Sequence, residues 1–168
     1  MTATQNGART AEQPVAEETG STLSAGELAH AALRGTIAAA AMTGTRTLTQ
    51  DLGLVTESPP QQILRRRAKG LMKHVPRRRR RTVLELFHWS YGAAGGVGYG
   101  MLPDVVRRQP WSGPLYGIGI WLKFELLIAP ALGLPHARNA RPVERVTLLA
   151  DHLLYGLVLS ETRRRPQE

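Results

Sequence analysis

The chain contains no cysteine. Disulfides, thiolate metal sites and cysteine nucleophiles are excluded, so metal or acid–base chemistry would fall to histidine and carboxylates. A basic segment followed by an apolar core, the mark of a secretory signal peptide, is also missing from the start. Residues 1–27 hold almost no large apolar side chain and are rich in Ala, Thr, Glu, Gly and Gln. Such a segment cannot bury enough surface to offset its ordering entropy, and a disordered polar tail is expected. No Gly-x-Gly-x-x-Gly fingerprint, phosphate loop or Ser-His-Asp pattern stands out, so neither a cofactor nor a catalytic residue is expected. Acidic residues are the scarcer charge. Against 13 Asp and Glu stand 22 Lys and Arg, a net charge of +9, which calls for an anionic partner such as a lipid surface or nucleic acid.

What is present is segregated into blocks. Four apolar stretches cover about residues 29–50, 82–102, 114–134 and 143–160. Each is close to the ~20 residues that a helix needs to cross a bilayer core. They are apolar almost all round and rich in glycine, which is costly in soluble helices and commoner in membrane ones. The expected fold is all-α, a four-helix transmembrane bundle of the bacterial cytoplasmic membrane spanning residues 28–162, without enzymatic activity. None of the stretches is clean, however: Arg46, Glu85, His88, Lys123, Glu125, Asp151 and His152 lie inside or beside them. A basic soluble helical bundle that binds nucleic acid is the alternative.

The connecting segments are strongly basic. Between the first two stretches, residues 55–81 carry Arg65, Arg66, Arg67, Lys69, Lys73, Arg77, Arg78, Arg79, Arg80 and Arg81. Arg138, Arg141 and Arg145 follow the third stretch on the same side of a four-span protein. The opposite side holds Arg9, Arg34, Arg107, Arg108, Arg163, Arg164 and Arg165. The positive-inside rule places the first set in the cytoplasm, although the terminal basic residues 163–168 count against that orientation. Within the first loop, Ser58 can cap a short helix, and Pro59 and Pro60 suit its first turn. Leu64, Ala68, Leu71 and Val75 then share one face. Such a helix can lie on anionic lipid headgroups, or it can be a solvated charged loop. Nucleic acid on the Arg77 to Arg81 run is the less expected partner.

Two segments echo each other. Arg81, Leu84, His88, Tyr91 and Gly92 align without a gap on Arg145, Leu148, His152, Tyr155 and Gly156. The first and third stretches share an ending, Leu52-Gly53-Leu54 and Leu132-Gly133-Leu134. A tandem repeat of two helical hairpins is expected, with corresponding helices parallel.

Residues 88–100 pose a choice. Val97-Gly98-Tyr99-Gly100 resembles the pore segment of potassium channels, whose backbone carbonyls replace an ion's water shell. The resemblance covers about a dozen residues and departs from the pattern at Gly96 and Met101, where the channels carry threonine and an acidic residue. Read as a helix, the same stretch places Gly92, Gly96 and Gly100 on one ridge that admits a neighbouring backbone. Gly35 and Gly44 offer matching positions on the first helix, and glycine-rich faces of this kind can also join copies into a homo-oligomer. Equivalence with the block after His152, which has no filter-like sequence, favours the helix.

Charges at membrane depth are costly and usually point inward. The expected polar core is Arg46, Glu85, His88, Tyr91, Lys123, Glu125, Asp151, His152 and Tyr155. It could form a proton or small-solute path, since histidine titrates near neutral pH, or simply fix helix register through buried pairs. Glu85-x-x-His88 has the spacing of di-iron bundles, but Leu149 stands where a second glutamate would be, so no metal is expected.

Taken together, three motifs resemble the YagU-like group of small bacterial inner-membrane proteins of unknown function. They are Arg81 with His88-x-x-Tyr91-Gly92-x-x-x-Gly96-x-x-Tyr99-Gly100, Gly113-Pro114-Leu115-Tyr116-Gly117-x-Gly119-x-Trp121, and His152-x-x-Tyr155-Gly156. The resemblance spans about residues 30–162. It implies membrane location and no particular reaction; envelope or pH homeostasis is the broad setting expected for such a protein.

Overall fold

The computed structural model describes residues 23–161 apart from Thr56, Ser58 and Ala68. Most of the expected polar tail, the terminal basic residues and the Ser58 cap lie outside the described residues. So do the side chains of Arg66, Arg67, Lys69 and Leu71. The elements are α1 (Ala25–Asp51), α2 (Pro59–Arg67), α3 (Lys69–Lys73), a 3₁₀ turn (Arg77–Arg79) and α4 (Arg80–Gly100). They continue with α5 (Asp104–Arg107), α6 (Ser112–Lys123), a π-helical turn (Phe124–Ile128), α7 (Ala129–Ala131), α8 (Pro135–Asn139) and α9 (Pro142–Glu161). The fold is all-α, with no strand among the described residues. The four long helical stretches coincide with the four apolar blocks.

Each boundary has a local cause. At the start of α1, the Ser24 hydroxyl accepts the Glu27 N–H at 3.3 Å and the Glu27 carboxylate accepts the Ser24 N–H at 2.8 Å. This reciprocal pair satisfies two N–H groups that a helix start leaves open. The Ser24 backbone bond, followed by its hydroxyl, holds the Glu27 carboxyl below its ordinary value. The expected end of the polar tail at residue 27 is thus corrected, because residues 24–27 already belong to the helix and its cap.

The shared Leu-Gly-Leu endings form the same motif twice. Leu54 N–H reaches Thr49 O at 2.9 Å and Gly53 N–H reaches Gln50 O at 3.0 Å. Leu134 N–H reaches Ala129 O at 3.0 Å and Gly133 N–H reaches Pro130 O at 2.9 Å. Both are Schellman caps, which need a left-handed residue at the turn, supplied by Gly53 (φ 70°) and Gly133 (φ 60°).

α1 packs along α4 and α9, and α6 packs along α9. The α1–α4 contact is nearly backbone on backbone. A methyl group placed on Gly35 would lie 2.2 Å from Gly92 O, and one on Gly96 would lie 2.3 Å from Ala31 O. Gly100 faces the Ala31 methyl, which a Cβ there would meet at 2.9 Å. Gly44, by contrast, has open space around its Cα and is no part of this contact, a correction to its expected role. The α6–α9 contact is built likewise: a methyl on Gly113 would meet Gly156 O at 2.3 Å, and one on Gly117 would meet His152 O at 2.0 Å.

Val97, Gly98, Tyr99 and Gly100 are helical throughout. Their carbonyls serve the helix end, with Val97 O accepting Met101 N–H at 3.0 Å and Tyr99 O accepting Leu102 N–H at 3.1 Å. No carbonyl row is displayed for an ion, so the filter reading gives way to the packing helix.

Burial is mixed in kind, with charged groups inside and many large apolar side chains outside. The interior combines Ala31, Ala38, Ala39, the seam glycines and two buried tyrosines with larger apolar side chains, among them Met42, Leu84, Phe124, Leu134, Leu148 and Leu159, and holds Arg46, His88 and Asp151 as well. Large apolar side chains point out: Leu33, Ile37 and Leu48 on α1, Leu86 and Phe87 on α4, Leu115 and Leu122 on α6, and Val146 and Leu157 on α9. Leu126 and Leu127 of the π-helical turn are about two-thirds exposed, at 67% and 63%. Among the described residues, no helix is long and apolar enough by mean hydropathy to cross a membrane.

Candidate functional site

A buried polar cluster occupies the half of the helices next to the basic loop. Arg46, near the C-terminal end of α1, is 7% exposed, and its Nη2 lies 2.8 Å from Glu85 Oε2 in the second turn of α4. Thr43, one turn before Arg46, closes the arrangement. Its hydroxyl sits 3.1 Å from the same Glu85 oxygen and receives the Trp89 indole N–H at 3.1 Å. On the other side of α1, the Thr45 hydroxyl donates to Asp151 Oδ1 of α9 at 2.7 Å. Arg46 also acts electrostatically on Asp151 and on His88. Buried charge is tolerable only when partnered in this way.

The two repeat histidines have different surroundings. His152 donates from Nδ1 to the Leu148 carbonyl at 2.7 Å, which places its proton on that nitrogen. His88 is buried, and among the described residues its Nδ1 has no hydrogen-bond partner. The tyrosines do not reach the imidazoles. Tyr155 OH donates to Gly92 O at 2.7 Å, Tyr116 OH donates to Gly95 O at 2.7 Å, and Tyr99 OH pairs with Ser112 Oγ at 2.7 Å. Glycine makes these carbonyls reachable, because no side chain shields them.

Glu125 leads a second cluster. It lies in the π-helical turn and meets His136 Nε2 of α8 at 2.5 Å, with Arg145 Nε of α9 at 4.0 Å. The His136 N–H in turn donates to Gln62 Oε1 of α2 at 3.3 Å, and Gln62 Nε2 donates to Glu57 O at 3.1 Å. Beside them, Ile63 packs on Phe124, Ala129 and Leu134. These contacts seat the first basic loop against the second helix pair. Glu125 also acts electrostatically on His152, which links the two clusters.

Two of the expected core residues are elsewhere. Tyr91 is 48% exposed on the outer side of α4, and Lys123 is exposed at the end of α6. Tyr91 aligns with buried Tyr155, but α9 lies against both α6 and α1, whereas α4 lies mainly against α1. The second packed face that buries Tyr155 is missing on α4. Lys123 directly precedes the π-helical turn and leaves burial to Phe124. Thr43, Thr45, Gln62, Ser112 and His136 are the site residues that apolar-block reasoning misses. His136 follows the helix-ending Leu132-Gly133-Leu134 cap, so no apolar stretch contains it. The seam residues Gly113, Gly117 and Gly156 were readable as small residues four apart, or one turn after a histidine.

A cavity of about 790 Å³ adjoins the first cluster, with Arg46 and Glu85 in its wall. Neither His88 nor His152 lines it. Arg65 reaches Glu57 at 3.1 Å, and Arg80 Nε donates to Val75 O at 3.2 Å, at the basic edge of this region. Arg77, Arg78, Arg79 and Arg81 are exposed. Among the described residues, no three His, Asp or Glu side chains gather as metal ligands. Glu85 is turned to Arg46 and does not share a site with His88. With the Thr43 and Thr45 hydroxyls held by the carboxylates of Glu85 and Asp151, the arrangement among the described residues is a set of ion pairs and hydrogen bonds beside the unpartnered Nδ1 of His88. No family model matches the chain, and no curated protein or solved structure matches it.

Proposed function

We propose that this chain is an integral, multi-pass protein of a bacterial cytoplasmic membrane. In this reading it is a non-enzymatic four-helix bundle of two repeated hairpins whose buried ion pairs lock helix register. The observation that carries the reading is the combination of large apolar side chains outside with charged groups inside. Leu33, Ile37, Leu86, Phe87, Leu115 and Leu157 face outward, while Arg46, His88 and Asp151 are buried. Exposed apolar surface on this scale is unfavourable in water and suited to lipid, where charged groups turn inward. The matched Schellman caps and the two glycine seams support the repeat, with α1 and α4 as one hairpin and α6 and α9 as the other. The YagU-like resemblance points to the same class on its short motifs.

Alkaline carbonate washing of membranes from cells expressing the chain tests this. Retention in the pellet is expected, and release into the supernatant would remove the reading. The unpartnered Nδ1 of His88 favours a second reading, a proton or small-solute path. Proton flux in proteoliposomes that disappears in His88→Ala would put that reading first.

A further inference from the structure

The cavity beside the Arg46–Glu85 pair differs from the rest of the basic surface because it is concave and graded from charged to apolar. Arg65, Lys73, Arg80 and Arg81 contribute to its wall from α2, α3 and the start of α4. Arg46 stands deeper and is 7% exposed. Its described hydrogen bonds, to Glu85 and Thr43, both leave from Nη2. Two carboxylates, Asp51 and Glu85, also line the space, and Glu85 is already committed to Arg46. Five cations and two carboxylates thus line one opening, with Arg46 paired to Glu85 and Arg65 to Glu57 outside the wall. Buried Met72 and Leu84 and half-buried Leu64 add apolar wall. A volume of about 790 Å³ is that of a small-molecule site, not of a groove that follows a duplex.

We propose that this cavity binds the phosphate group of an anionic lipid, with the headgroup among the cations and the start of the glycerol backbone against Leu64, Met72 and Leu84. An arginine fork and neighbouring ammonium and guanidinium groups are the donors that a phosphodiester needs. The cavity lies where α1 ends and α4 begins, at the level where a bilayer surface meets the helix ends. The choice of a lipid over a free ion rests on the membrane reading above, since only a bilayer brings a phosphodiester and an apolar surface to this level together. This is a localised pocket, in contrast to the diffuse attraction that any basic loop exerts.

The test is titration of the purified full chain, in an uncharged detergent, with short-chain phosphatidylglycerol, phosphatidylcholine, inorganic phosphate or an oligonucleotide, read by native mass spectrometry. Saturable binding of phosphatidylglycerol but not phosphatidylcholine is expected. Lys73→Glu/Arg81→Glu, at exposed wall positions, should weaken it about tenfold or more. Arg77→Glu/Arg78→Glu, exposed and outside the cavity, should leave it within about twofold once diffuse attraction is screened by salt. Equal loss in both double variants would overturn the pocket. Inorganic phosphate or an oligonucleotide binding as well as the lipid, with the same variant dependence, would overturn the lipid assignment. Carbonate extraction of the same preparation reports separately on the membrane reading. A chain that resists extraction yet binds no phosphatidylglycerol loses this inference alone.

Discussion

At the scale of single residues, Arg46 and Glu85 are the pair on which the interior depends most. Each is a charge that the fold tolerates only because the other stands 2.8 Å away. Arg46→Met or Glu85→Leu alone is expected to cost about 3–5 kcal/mol, because it strands the remaining charge. The double variant should recover most of that loss, since an apolar pair needs no compensation. Denaturant titration of the four proteins in detergent checks the cycle; additive losses would show that the two groups do not work as a pair. Both residues were legible as expensive charges inside apolar blocks. Their partners were less so. Thr43 and Thr45 look like ordinary helix residues, and only the approach of α4 and α9 to α1 turns their hydroxyls toward Glu85 and Asp151. Tyr91 shows the opposite error, since its alignment with Tyr155 suggested a buried place that depends on a neighbour α4 lacks.

At the scale of elements, the helices meet through glycine, and space decides which glycines matter. Gly35→Ala pushes a methyl against Gly92 O and Gly96 Cα, so α1 and α4 must separate. Overpacking of this kind costs about 1–3 kcal/mol. Gly44→Ala meets nothing and sits mid-helix, so it is expected to stabilise by about 0.5–1 kcal/mol through helix propensity and a less flexible unfolded chain. Unfolding midpoints of the two variants should therefore move in opposite directions, and a shared direction would contradict the seam. The four long helices were readable because apolar stretches of this length, ended by Leu-Gly-Leu or by loop prolines, have few other outcomes. Gly35 and Gly44 were indistinguishable by spacing to small residues, and only helix rotation separates them. The π-helical turn was not legible either, although it sets Phe124 and Ala129 inward and gives Glu125 its contact with His136.

At the scale of the whole molecule, small residues let the helices approach, the Arg46–Glu85 pair lies between them, and some leucines are exposed on the outside while others, such as Leu84, Leu148 and Leu159, are buried. The basic loop is tied to the helices through Ile63 and Gln62 at one end and borders the cavity of about 790 Å³ at the other. Its charge was obvious from the sequence, while its concavity was not, because a cavity wall drawn from α1, α2, α3 and α4 has no linear signature. The glycine faces meet within one chain, which leaves leucines such as Leu33, Leu86, Leu115 and Leu157 exposed on the outside.

The absence of cysteine makes the central claim directly measurable. Single cysteines placed at Ile37, Leu86 and Leu157, at Arg79 in the basic loop, and at Gln109 between α5 and α6 can be challenged in sealed cells and in inverted vesicles with a membrane-impermeant maleimide. The account expects the three apolar-face cysteines to resist labelling in both preparations until detergent is added. Arg79→Cys should label in inverted vesicles and Gln109→Cys in intact cells. Ready labelling of Ile37→Cys, Leu86→Cys and Leu157→Cys without detergent would contradict it.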